Sequence, residues 1–171
     1  MMDPNAPMFV DGDNPDGFRI FSDLRVEGAA GGDSSYGRAA LDLTVTQGVG
    51  AWGGALTLSG GSSVGDLPTQ RRWYLGGTRT IRGQTPDTAQ SGNAYWMSRL
   101  EFGRTIQGAR PVVFADIGWA GDRTRLGDVG RPLSGVGVGT SILDGLIRFD
   151  LGRGIYPRRQ WRFDAYLEGA F

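Results

Sequence analysis

Arginine and the carboxylates carry the ionic chemistry of this sequence: all 18 basic residues are Arg, set against 15 Asp and 3 Glu, and none of the 171 residues is His or Cys. Without His or Cys there is no Ser-His or Cys-His nucleophile pair, no Cys/His zinc site and no disulfide. Without Lys there is no Schiff-base amine. A metal would need oxygen ligands alone. Asp11, Asp13 and Asp16 lie in a Gly/Pro/Asn setting that suggests calcium, but Pro15 takes the third ligand position and the closing Glu is missing, so a turn is expected. The Gly61-Ser62-Ser63-Val64-Gly65 run has the outline of a nucleophile elbow without any His to act as base, and reads as loop. The alternation Gly135, Gly137, Gly139 is followed by no helical pattern, so it is no dinucleotide loop; Gly on one strand face leaves space for a neighbouring loop. Neither an enzyme nor a bound cofactor or metal is expected.

The net charge is zero and the pI near 6.2, which argues against a nucleic-acid partner. The segment Arg71-Arg72-Trp73-Tyr74-Leu75-Gly76-Gly77-Thr78-Arg79-Thr80-Ile81-Arg82-Gly83-Gln84 lies in the long interruption 61–92, and a polar loop of that length is normally functional or disordered.

The elements that must position these groups are strands. Gly fills 30 positions, and each Gly inside a helix costs about 0.5–1 kcal/mol relative to Ala. Period two recurs instead. Phe18, Ile20, Ser22, Leu24 and Val26 share one face against Arg19, Phe21, Asp23, Arg25 and Glu27; Ala39, Leu41, Leu43 and Val45 oppose Arg38, Ala40, Asp42 and Thr44; Trp52, Leu56 and Leu58 fall together. After an interruption, Trp96, Ser98, Leu100 and Phe102 oppose Tyr95, Arg99, Glu101 and Gly103, and Val113, Ala115, Ile117 and Trp119 oppose Phe114, Asp116 and Gly118. Val136, Val138 and Thr140 then face away from the three glycines, Ile147, Phe149 and Leu151 from Arg148, Asp150 and Gly152, and Trp161, Phe163, Ala165, Leu167 and Phe171 from Arg162, Asp164, Tyr166 and Glu168. Glu101 and Asp116 thus fall on the polar faces.

Eight strands of roughly 10 to 13 residues are expected, near the 9 to 11 that cross a bilayer at a tilt. No apolar run approaches the roughly 18 to 20 residues of a spanning helix. Connections alternate: 29–34 medium, 47–50 short, 61–92 very long, 107–110 short, 121–132 long, 143–145 short and 154–159 medium. Long outer loops opposite short periplasmic turns, with Trp and Phe near strand ends, are the pattern of an outer-membrane barrel. A soluble sandwich with a Trp-rich core fits the many glycines on the polar face poorly.

The Trp-Tyr-Leu-Gly-Gly cluster followed by Ile-Arg-Gly resembles the loop of the bacterial surface-antigen superfamily, the BamA/TamA-type assembly factors and two-partner secretion translocases. In that family the loop folds back into the lumen of a 16-stranded barrel, and its tip Arg contacts an acidic residue on the following strand and the Asp of an Asp-x-Gly motif on the next. The resemblance assigns Leu75, Gly76 and Gly77 to the loop signature. It assigns Arg82, Gly83, Glu101, Asp116 and Gly118 to a lumenal lock, in which the planar guanidinium fork can bridge two carboxylates better than a Lys could. Gln84 departs from the aromatic usual after Arg-Gly, which is expected to weaken packing at the tip. Phe163, Leu167 and Phe171 resemble a C-terminal insertion signal.

The resemblance implies an all-β, antiparallel transmembrane barrel domain over 17–171 with a lumenal loop at about 61–92. These are the last eight strands of the family barrel, preceded by an extension or strand remnant at 1–16. Met1 to Gly17 has neither the basic nor the apolar region of a secretory signal peptide, and no POTRA module is seen. Function follows as insertion or secretion of proteins at the bacterial outer membrane. The partners implied are outer-membrane lipid, unfolded or secreted protein substrates, and a missing N-terminal half or second copy to complete the barrel. Two other readings stay open: a passive structural or adhesin-like eight-stranded barrel, and the barrel part of a protein exporting a fused passenger.

Overall fold

The computed structural model describes residues 17–31, 35–143 and 145–167. The calcium-like run at Asp11, Asp13 and Asp16, the whole extension 1–16 and the terminal Phe171 lie outside them. Among the described residues the strands are β1 (Gly17–Ala29), β2 (Tyr36–Val49), β3 (Trp52–Gly65), β4 (Trp73–Leu75), β5 (Gln90–Gly92), β6 (Ala94–Arg104), β7 (Ala109–Gly121), β8 (Leu133–Ile142), β9 (Ile147–Tyr156) and β10 (Trp161–Leu167). Eight form one antiparallel sheet in the order β1-β2-β3-β6-β7-β8-β9-β10, and β4 with β5 makes a separate small ladder. The sheet is not closed among the described residues, so the architecture is a partial β-barrel.

Alternation sets the register. Leu56 pairs with Leu100, Val113 with Val138 and Val138 with Leu151, so one face of neighbouring strands is continuously apolar. That face is open: Leu100, Val113, Val138, Phe163 and Leu167 are all exposed large hydrophobic side chains. A one-residue slip would exchange the faces of a strand. The opposite face pairs polar groups, with Thr44 and Thr57 hydroxyls 3.2 Å apart and Arg99 opposite Asp116.

Connections 50–51 and 105–108 and that between β8 and β9 lie at one end of the sheet, and that between β1 and β2 with 66–93, 122–132 and 157–160 at the other. Three expectations need adjustment. β3 continues to Gly65, into the stretch expected to be loop, because Gly60, Gly61, Ser62 and Ser63 carry no apolar signal yet pair with β2 on one side. The long connection also contains the β4–β5 ladder and short 3-10 turns at Thr69–Arg71 and Pro86–Thr88, each too brief to leave a periodic pattern. Finally, Trp119 has the expected parity but is only 6% exposed, and a side chain at Gly121 would run into its ring.

The buried apolar cluster lies between this connection and the polar face of the sheet. Leu75 and Ile81 of the loop meet Ala40, Tyr95, Ala120 and Leu133, with Trp73 and Met97 at the margin. Burying a side chain such as Leu75 or Ile81 contributes roughly 1.5–3 kcal/mol, so the loop's own apolar residues help hold it against the polar face.

Candidate functional site: a loop docked on the polar face

The loop is fastened at its root before it reaches its tip. Trp73 donates its indole N–H to Ser63 Oγ at 2.9 Å, its ring lies 4.7 Å from that of Tyr95, and the Arg38 guanidinium sits 4.3 Å above it. Leu75 enters the buried cluster. Gly76 and Gly77 follow with φ of 123° and 136°, and the Gly76 N–H donates to Thr80 Oγ1 while the Gly77 N–H donates to the Ile81 carbonyl. These bonds close a turn that presents Ile81 and Arg82 to the sheet.

Arg82, 1% exposed, meets both expected carboxylates. Its Nε and Nη2 donate to Asp116 Oδ2 and Oδ1 at 2.7 and 2.6 Å, and its backbone N–H donates to Asp116 Oδ2 at 2.9 Å. Its Nη1 donates to Glu101 Oε1. Burial works against the charge on Arg82, but the hydrogen bonds and charge of Asp116, with the charge of Glu101, outweigh it and raise the pKa above the ordinary arginine value. The guanidinium carbon also lies 3.8 Å from the centroid of the Phe114 ring, two residues before Asp116 on the same strand face.

The ion cluster is larger than the three residues read from the sequence. Arg148 Nη2 and Nη1 donate to the two Glu101 oxygens at 2.8 and 3.2 Å, and its Nε donates to Asp150 Oδ1 at 3.0 Å. The Tyr166 hydroxyl donates to Asp150 Oδ2 at 2.7 Å, and Arg99 Nε lies 3.8 Å from Asp116. Arg82, Arg99 and Arg148 thus face Glu101, Asp116 and Asp150, so the formal charges balance. Balance matters because an unpaired buried charge is costly, whereas paired and hydrogen-bonded ions are tolerated. Sequence reasoning missed Arg148, Asp150 and Tyr166 as site residues, although their parity already put them on the polar face.

Glycine lets the backbone come this close. Gly83 has φ of 78°, and a Cβ there would stand 2.7 Å from the Arg153 carbonyl carbon; a Cβ on Gly135 would stand 2.0 Å from the Arg82 carbonyl oxygen. Gly118 lies under Ile81. The other two β8 glycines make room for the sheet's own side chains, Gly137 for the Phe114 ring and Gly139 for the Asp150 carboxylate. The expected weakness at Gln84 is not what the structure shows. Gln84 is fully buried, its Nε2 donates to the Ser134 and Tyr156 carbonyls at 2.7 and 2.9 Å, and its Oε1 accepts from Thr88 Oγ1 at 2.9 Å. Hydrogen bonds here do what ring packing was expected to do.

Phe163 and Leu167 lie on the apolar face, away from this cluster, with the Phe163 ring 6.3 Å from that of Phe149. Among the described residues no group of His, Cys, Asp or Glu could hold a metal ion.

A family model described as the Omp85 superfamily domain matches residues 15–155. Among solved structures, CdiB from Acinetobacter baumannii is similar in fold, with a TM-score of 0.64 and 20% sequence identity over 84% of this chain. The match covers only 29% of the CdiB chain, so this chain spans less than a third of that protein. No protein of curated function matches the sequence.

Proposed function

The chain belongs to the Omp85 superfamily, and on that premise we propose that it forms the C-terminal barrel half of a bacterial outer-membrane protein that inserts or secretes other proteins. In this reading 17–171 is the barrel domain, 1–16 an extension or the remnant of a preceding strand, and the long connection occupies the lumen. The apolar face meets lipid, and Phe163, Leu167 and Phe171 belong to the signal by which the barrel is inserted. Unfolded or secreted proteins are the substrates, and no step requires catalysis.

The observation that carries the reading is Arg82, buried against Asp116 and Glu101. Ionic and hydrogen-bonded contacts hold the loop without any covalent tie, so docking is reversible. Arg82 acts as a lock that keeps the loop in the lumen while substrate strands engage the lateral seam. A passive, self-contained eight-stranded barrel fits less well, because such a barrel's interior is filled by its own side chains, whereas here a connection of 66–93 lies on the polar face.

The test uses the full-length protein in membranes. R82A and R82K should lower substrate secretion or insertion and expose the loop to protease, and the charge swap R82D with D116R should restore part of both. Removing one partner of a buried pair costs about 3–5 kcal/mol. Normal transport by R82A with a protease-exposed loop would overturn the lock.

A further inference from the structure

We propose that Gln84 is a positioning residue that latches the loop to β8 and to the final hairpin, β9–β10, so that the loop tip and the edge strand β10 are held as one unit. Arg82 grips β6 and β7 through Glu101 and Asp116, and its Nη1 lies 4.0 Å from Asp150 Oδ2 of β9. The next residues grip the other side of the sheet. The side-chain amide of Gln84 reaches the Ser134 carbonyl at the start of β8 and the Tyr156 carbonyl at the end of β9. Its backbone carbonyl accepts from Arg162 Nη1 of β10 at 2.8 Å. The ladder between β8 and β9 shifts register between Ser134 and Gly135. The amide nitrogen of Gln84 therefore donates to both carbonyls of the Ser134–Tyr156 pair, which lies just beyond an interruption in the pairing.

Two contacts follow within three residues. Gln160 Nε2 donates to Thr85 Oγ1, and Arg158 Nη1 lies 2.5 Å from Asp87 Oδ2. The Asp87 carboxyl is held below the usual carboxylate range by the Thr85 hydroxyl, with Arg158 adding to the effect. Both members of the Arg158–Asp87 pair are more than half exposed, and exposed pairs contribute little. Gln84 is fully buried, and loss of its amide removes two hydrogen bonds, to the Ser134 and Tyr156 carbonyls, away from the solvent that screens an exposed pair. The exposed pair reinforces a hold that Gln84 provides.

Arg82 reaches the hairpin only through the longer Asp150 contact on β9, so a coupling to β10 follows from the Gln84 contacts. β10 has a strand neighbour on one side only among the described residues. Displacing it must break the Arg162 contact and, through the β9–β10 connection, strain the Gln84 bonds. The relation runs both ways, since freeing the tip at Gln84 loosens the hairpin while Arg82 still holds the loop to β7.

This inference needs the docked loop and not the transport reading, and its test reads distance instead of transport. The chain has no cysteine, so spin labels can be placed by R79C with R159C, spanning loop and hairpin, and by R79C with Q107C, spanning loop and the β6–β7 turn. In full-length protein in detergent, both pairs should give a single narrow distance. Q84M keeps the shape of the side chain and removes its donors. It should abolish the narrow 79–159 distance and leave the 79–107 distance intact. Q84E, which sets a carboxylate against two carbonyls, should do the same and serves if Q84M does not fold. A 79–159 distance that stays narrow in the variants, or equal broadening of both pairs, would overturn the proposal.

Discussion

At the scale of single residues, the site is a contest between desolvation and pairing, decided by geometry. Arg82 is acceptable in a buried place because two carboxylates and the Phe114 ring surround it, and the fork shape lets one side chain meet Asp116 through two nitrogens. The same closeness makes Gly135 sensitive. A methyl group there would meet the Arg82 carbonyl oxygen at 2.0 Å, so G135A must push the loop away or bend β8. Overpacking of this kind costs typically about 1–3 kcal/mol. The expected outcome is faster protease cleavage of the loop in G135A with the strand content of the parent by circular dichroism; unchanged cleavage would show that the loop tip gives way without cost. Part of this site was legible in the sequence. Parity put Glu101 and Asp116 on the polar face, and family resemblance tied Arg82 to them. Arg148 and Asp150 had the same parity, but what joins Arg148 to Glu101 is a reach over two intervening strands, β8 and β7, and the strand neighbours of a residue are not written in its own segment. Gln84 was misjudged because a substitution away from an aromatic says what packing is lost, while the carbonyls waiting at Ser134 and Tyr156 belong to a register shift that only the folded sheet reveals.

At the scale of elements, alternation was legible wherever one face is apolar and failed where it is not. β6 through β10 all show it, and their registers place Leu100, Val113, Val138, Leu151 and Phe163 on one face. The end of β3 lacks it, since small residues at Gly60 to Ser63 are held by pairing and by the Trp73 and Asn93 contacts at Ser63. Within the loop, β4 and β5 are three residues each, shorter than any period can reveal. The apolar face gives a sharp prediction for β8. Val138 is 52% exposed at mid-strand with apolar partners on both sides. If the face meets lipid, V138R places a charge in hydrocarbon and should destabilise the protein by about 2–4 kcal/mol near the midplane, and less toward the interface. The measurement is denaturant unfolding of the protein in lipid vesicles, compared with T140R nearer the strand end. Equal stability of V138R and the parent would mean that this face is not in contact with hydrocarbon.

At the scale of the whole molecule, the balance between a covered face and uncovered edges decides what the protein needs from its surroundings. The loop covers the polar face with Ile81 and Leu75 and fixes itself there by ions. Nothing comparable serves the sheet's two ends, because among the described residues β1 pairs only with β2 and β10 only with β9. In hydrocarbon each unsatisfied backbone group costs several kcal/mol, and β1 alone runs for 13 residues, so no gain from loop docking offsets two bare edges. Closing β1 directly onto β10 would satisfy them, but the resulting eight-stranded barrel has an interior filled by its own side chains, and the loop would have to leave. Docked loop and self-closure are therefore alternatives. With the loop docked in a membrane, β1 and β10 are expected to take partner strands, either from more of the same polypeptide or from a second copy. Light scattering on the 171-residue chain refolded in detergent should then give a mass of at least two copies wherever the loop resists protease, and a one-copy mass only where the loop is cut. A heat-modifiable monomer whose loop still resists protease would show that the eight strands can close around it, and would remove the need for any partner at β1 or β10.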